Sequence, residues 1–470
     1  MPEIEGNEDT VSAATTAAHH EFEDITEAAM RPMLHAGIRF WILAALLAAV
    51  VGAGLAAWGY QVMNGLGVTG YNDSVFWATY EANLVAFIGI SYGGAVTSAV
   101  LRLAGAPWRA PIVRLAEGMA LVSLCVGSLF AIIHVGRPDR LWELFVRPHY
   151  TSPIVWDMTA IMTYIAATVV FLYLPLIPDM GVVRDYLRHR NHRLLWRVAR
   201  ALAIGWRDLP AQRRVVNRGM TIIAIAIIPL AVSVHSVLAW AFGLTVRVGW
   251  HSTLLAPYFV IAALLSGVAA VIVTVAAFRY AYHLESYITV KQFRYLGYLM
   301  LALGLTYLYM TISEMLTESY VLDQETGPLL ETMLLGNYAP LFWFFVLIGG
   351  GIPTLLVILP WTRNVPGITL AAVLAVAGMW VKRIVIVVPP LVQPFMEQPA
   401  RGYTPTVVEV LVTVGAIAAI PLCLMILFRF IPVLAISEMQ EIAEEERAAH
   451  AERVAVLGAE PRQPIQGGAR

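Results

Sequence analysis

Ionisable side chains are scarce in the apolar stretches of this 470-residue chain, so each can be weighed for the chemistry it offers. His134 and Asp157 bracket a short polar loop, and Arg137 stands about one helical turn past the histidine. A carboxylate that orients and charges an imidazole makes a pair able to take protons from a hydroxyl-bearing ligand. Lys382 and Arg383 are adjacent, and Lys382 is one of only two lysines in the chain. At membrane depth such a pair requires acidic partners or water; Asp157, Glu314 and Glu409 are the candidates. Glu81, Glu117, His235, Glu314, Lys382 and Glu409 together form a candidate proton path, although a network of this kind can also be purely structural.

Metal chemistry finds little support. Cys125 and Cys423 lie in separate apolar runs without CxxC spacing, so neither an iron–sulfur cluster nor a structural zinc is expected, and both read as buried small hydrophobes. Of eleven histidines only His235 falls well inside an apolar stretch, with His134 at the end of another. A bis-histidine haem needs those two at matching depth, which their positions do not favour.

The elements that must position these residues follow from composition. The chain is 59% apolar and 13% charged, against roughly 45–50% and about 25% for soluble domains, which excludes a water-soluble fold. A net charge of −1 gives no electrostatic basis for binding nucleic acid. Ten stretches reach the roughly 20 apolar residues that a spanning helix needs: 38–60, 79–101, 112–134, 153–175, 218–241, 256–280, 294–315, 338–361, 366–389 and 406–430. Strand-type alternation is absent. The expected fold is an all-α polytopic membrane protein. Spans two to five (79–241) and six to nine (256–389) form two four-helix bundles, with spans one (38–60) and ten (406–430) peripheral.

Ten spans put both termini on one side. Segment 181–218 carries ten arginines, whereas loops 61–78 and 316–337 carry no lysine or arginine. The positive-inside rule then places the acidic 1–37 segment, the arginine-rich loop and the 437–470 tail in the cytoplasm. Segment 181–218 is expected to lie as a helix along the inner surface, with its arginines among lipid headgroups. Loop 135–152 is the exception, since it carries Arg137, Arg140 and Arg147 yet faces outward. On this topology the intramembrane polar residues gather near the outer surface, except Glu117.

Several blocks resemble the NrfD/polysulfide-reductase-type membrane subunits, most closely the quinol-binding subunit of bacterial alternative complex III. They are His134-Val-Gly-Arg-Pro138, Ser152-Pro-Ile-Val-Trp-Asp157, Ser233-Val-His-Ser236, Gly249-Trp-His-Ser-Thr253, Gly378-Met-Trp380 with Arg383-Ile-Val-Ile-Val-Val388, Tyr403-Thr-Pro-Thr406 and Arg429-Phe-Ile-Pro432. Their order is kept from span three to the tail. The resemblance implies a ten-helix, multi-pass subunit of the bacterial inner membrane that oxidises menaquinol near the periplasmic face and holds no haem or cluster itself. It implies His134 and Asp157 as catalytic, with Arg137 and Arg383 also at the quinol. The implied partners are a periplasmic iron–sulfur, molybdopterin-like subunit, a paralogous membrane subunit and multihaem cytochrome c subunits, with electrons passing to cytochrome c or a copper protein. Lys382 and Ala241 stand where those relatives carry acids, which weakens a proton path through the second bundle. A quinone-free structural or proton-conducting paralogue is the alternative. A secondary transporter, broken at Gly349–Gly351 and Pro353, is a more distant one.

Overall fold

The computed structural model describes residues 24–321, 326–394 and 401–458, with side chains described through 449. Among these residues ten helices are long and apolar enough to cross a membrane. They are α1 (Ile38–Asn64), α2 (Thr79–Leu103), α3 (Pro107–Ile133), α4 (Pro153–Leu187), α5 (Pro210–Gly243), α6 (Leu255–Ala281), α7 (Val290–Val321), α8 (Ala339–Ile358), α9 (Val365–Val392) and α10 (Val407–Leu427). Hydrocarbon offers no hydrogen bonds, so each stretch satisfies its own backbone by coiling. No strand occurs among the described residues.

Burial separates the helices by role. The α2 window is 83% buried and the α1 window only 11%, so α2 is central and α1 faces lipid. Helix α2 packs on α3, α5, α6 and α9, α4 packs on α5, and α1 pairs with α10. Glycine makes the central crossing possible. A Cβ on Gly93 of α2 would stand 2.5 Å from the Cα of Gly267 on α6, so the two backbones touch. A second such contact joins α8 to α9, where a Cβ on Gly349 would come within 2.6 Å of the Gly378 Cα. The α8 glycines lie in an eight-residue π-helical stretch, Phe344–Gly351, so the helix widens there and continues.

Three features depart from the sequence expectations. Segment 181–218 is not one surface helix: α4 runs on to Leu187, α5 already begins at Pro210, and only Arg193–Leu202 forms a separate short helix. At 35 residues α4 is about 52 Å long against a hydrocarbon core of about 30 Å, so it projects well past one face. The cysteines are exposed on the helix surfaces rather than buried, since a thiol is as compatible with lipid as with a protein core. Finally, residues 24–34 are helical and bury Ala28, Ala29, Met30 and Met33 in the core. The Val433 amide donates to the Ala29 carbonyl at 3.0 Å, which ties both terminal segments to the same face.

Candidate functional site

The face opposite the termini carries a small polar cluster built by the ends of α1 to α4. His134 closes α3, and its backbone amide donates to the Phe130 carbonyl at 3.1 Å. Its Nδ1 lies 2.7 Å from that same oxygen. A carbonyl only accepts, so Nδ1 carries the proton and Nε2 is left as an acceptor. Nε2 stands 3.9 Å from Oε2 of Glu81, in the first turn of α2. The Phe130 ring is fully buried against Phe87 at 5.7 Å and Tyr80 at 6.0 Å, which fixes the carbonyl that orients the imidazole.

Asp157 sits one turn into α4, within electrostatic reach of Glu81. Its Oδ1 is buried and has no hydrogen-bond partner in the protein. Buried carboxylate oxygens are nearly always bonded, so this one points to a polar atom on a ligand or water. Gln61 completes the frame: it is buried, donates from Nε2 to the Ile133 carbonyl at 3.0 Å, and accepts from the Tyr80 hydroxyl at 2.6 Å. Gln61 lies one residue beyond the stretch that composition marks as span one, and for that reason it escapes a search of the spans.

The chain leaves α3 through Gly136, at φ +67°, where a Cβ would also press to 2.9 Å on Leu66. Arg137 is then carried outward. Its guanidinium makes two bonds of 3.0 Å to Asp139 and is mostly exposed. Arg140 is likewise paired with Glu143 at 2.8 and 2.9 Å. These bonds hold the Asp139 and Glu143 carboxyls below their ordinary values. The loop is therefore a set of local ion pairs, and it does not bring Arg137 to His134.

The remaining ionisable residues fall into separate groups. Arg383 is buried, with Phe259 under it at 5.9 Å and Nε, Nη1 and Nη2 all without protein partners. His235 is buried too; both ring nitrogens lack partners, and Tyr92 lies 4.9 Å from its ring. Lys382 lies over the rings of Phe345 at 4.5 Å and Tyr258 at 4.8 Å, with Glu314 acting on it electrostatically. No ion pair joins Lys382 or Arg383 to Asp157, Glu314 or Glu409 among the described residues. Glu409 is committed to the loops around it. It accepts from the Gly70 amide at 2.8 Å, the Thr406 amide at 2.9 Å and the Tyr403 hydroxyl at 2.5 Å, and so caps α10. Burial and the Glu409 carboxylate hold the Tyr403 phenol above its ordinary value, so it remains a donor.

Glu117 belongs to a buried network on the face of the termini. Arg114 bonds to Glu117 at 3.1 Å and to Asp179 at 2.7 Å, all three fully buried. Asp179 also accepts from the Ser437 amide at 2.8 Å, while Glu438 pairs with Arg102 at 2.5 Å and Arg109 at 2.8 Å. Intramembrane charge is therefore not confined to one side. Asp179 lies beyond the 153–175 stretch that composition marks as span four, but within α4, which continues through Pro175 and Pro178.

Among the described residues no group of three or more His, Cys, Asp or Glu is arranged to hold a metal ion. A long apolar cleft of about 1440 Å³ runs from Arg39 and His283 at the terminal face to Ser123 and Phe87.

Residues 67–394 match the family model described as polysulphide reductase, NrfD. The chain is 30% identical to a protein of Halobacterium salinarum named as a dimethyl sulfoxide reductase membrane subunit, over 84% of this chain and 91% of that one. It is 23% identical to the Hdr-like menaquinol oxidoreductase integral membrane subunit of Archaeoglobus fulgidus, over 86% and 97%. With a selenate reductase subunit of Mesobacillus selenatarsenatis it shares 26% identity, over 44% and 50%.

Proposed function

Because the chain belongs to the polysulphide reductase NrfD family, membrane subunits of oxidoreductases, we propose that it oxidises menaquinol at the cluster of His134, Glu81 and Asp157. The observation that carries this reading is the His134 ring. Its Nδ1 is spent on Phe130, so Nε2 presents an acceptor beside Glu81, with the unpartnered Asp157 Oδ1 near by. A quinol hydroxyl needs such an acceptor, and the apolar helix ends around it suit an isoprenoid. Quinol gives up two protons and two electrons to become quinone. His134 Nε2 receives the first proton and the Asp157 and Glu81 carboxylates the second. Both electrons leave to an acceptor on a partner.

The relative named as a menaquinol oxidoreductase subunit supports menaquinol as the substrate. The acceptor on this reading is an iron–sulfur, molybdopterin-like subunit docked over the His134 face, in an assembly like alternative complex III with a paralogous membrane subunit and multihaem cytochromes c. The arginine-rich face and both termini are then cytoplasmic. The test is Asp157→Asn in the assembled complex. Quinol oxidation should fall at least 100-fold while the complex still assembles in full, and undiminished turnover overturns the assignment.

One observation favours a second reading, a quinone-free proton-conducting paralogue. Arg383 and His235 present five buried nitrogens without protein partners, and such groups are satisfied by water. That reading predicts no quinone at His134 and no effect of Asp157→Asn on quinol turnover.

A further inference from the structure

On the arginine-rich face a second cleft, of about 860 Å³, opens between the α1–α10 pair and the short helix Arg193–Leu202. Its walls are apolar and include Trp41, Ala44 and Ala48 of α1 and Leu422 and Ile426 of α10. Its ionisable lining is only basic: His192, Arg193 and Arg429. Arg429 is held in place, since it donates to the Pro32 carbonyl at 2.5 Å and lies 5.7 Å over the Phe40 ring. Behind the mouth, Arg197 and Arg200 follow Arg193 at i+4 and i+7, so the three form one stripe along the helix. The opposite side of that helix packs Leu195, Val198 and Leu202 on the core, which turns the stripe away from the protein.

We propose that this cleft binds one anionic diacyl phospholipid of the leaflet on the arginine-rich side. Its acyl chains lie along α1 and α10, and its phosphate sits at Arg193 and Arg429. Charge complementarity selects this occupant. A phosphodiester with net negative charge gains more from a mouth lined by cations alone than does an uncharged quinone head or a zwitterionic lipid, whose own ammonium the cations repel. Arginine at a rigid helix matches the oxygens of a phosphate better than a flexible ammonium, and no lysine occurs anywhere in segment 181–218. The site is separate from the His134 cluster on the other face.

The test uses the full-length chain purified from its membrane and exchanged into micelles containing phosphatidylglycerol or phosphatidylcholine, with bound lipid counted by native mass spectrometry. The expected result is one tightly held phosphatidylglycerol per chain and at least tenfold weaker retention of phosphatidylcholine. The double variant Arg193→Gln/Arg429→Gln should lower phosphatidylglycerol retention about 30-fold, at roughly 1 kcal/mol per arginine. Ala44→Trp, which fills the acyl end and keeps every charge, should lower retention of both lipids. Arg401→Gln, on the opposite face and mostly exposed, should change neither. Equal retention of the two lipids, an unaltered count in the double variant, or an equal loss in Arg401→Gln each overturns the proposal.

Discussion

Replacing Asp179 with leucine is expected to be among the most damaging single changes in the molecule, although the residue lies far from the His134 cluster. Its carboxylate makes two charge-assisted bonds in a dry setting, from Arg114 at 2.7 Å and from the Ser437 amide at 2.8 Å. Each is worth about 1.5–3 kcal/mol. Loss of the acid also leaves the fully buried Arg114 with Glu117 at 3.1 Å and the Leu172 carbonyl at 3.2 Å as remaining partners. Breaking one side of a buried ion pair costs about 3–5 kcal/mol, and the surviving bonds place Asp179→Leu near 4 kcal/mol. The assay is SDS-titrated unfolding in mixed micelles, followed by circular dichroism. Limited proteolysis of the Ile436–Gly458 helix serves as a second readout, because Ser437 loses its anchor. Adding Arg114→Met removes the stranded cation, so the double variant should be at least 2 kcal/mol less damaged than the sum of the single changes. Stability within 1 kcal/mol of the parent for Asp179→Leu, with the helix still protected, refutes the reasoning.

Three further changes probe other parts of the frame. Gly93→Val should abolish folded yield, since a Cβ there meets the backbone of Gly267; size-exclusion profiles would show aggregation, while Gly52→Ala, with open space around it, should behave as the parent. Glu409→Gln should cost about 1–3 kcal/mol through the weakened α10 cap, and hydrogen exchange at the Gly70 amide should quicken. Gly136→Ala should cost about 1–2 kcal/mol because of its positive φ, yet depress quinol turnover further than that loss explains, since the turn sets the His134 ring.

Much of the fold was legible because hydrocarbon imposes one rule on every span. The ten apolar stretches each coil, and the main errors lie at their ends. Composition ends span four at 175, yet α4 passes through Pro175 and Pro178 to Leu187, and this concealed Asp179. Residues 181–187 and 210–218, expected in a surface helix, extend α4 and α5 instead. The candidate site was legible in part. The spacing of His134 and Asp157 around one loop was legible, whereas Glu81, read only as part of a proton path, stands 3.9 Å from His134 by the packing of α2 on α3. That Arg137 would turn away to Asp139 depended on the positive φ of Gly136 and on a carboxylate two residues on, which spacing does not weigh. Glu409 reads from sequence as an intramembrane acid, yet four donors from the adjoining loops converge on it. Cys125 and Cys423 show the same limit, because apolar neighbours along the chain do not tell lipid from core.

The central claim is that the His134 cluster receives the quinol head, and a density map of the assembled complex with a menaquinol analogue tests it most directly. A head-group oxygen should lie within hydrogen-bond distance of His134 Nε2, with Asp157 facing the ring. An analogue seated instead beside Arg383 and His235, or bound nowhere in this chain, would contradict it.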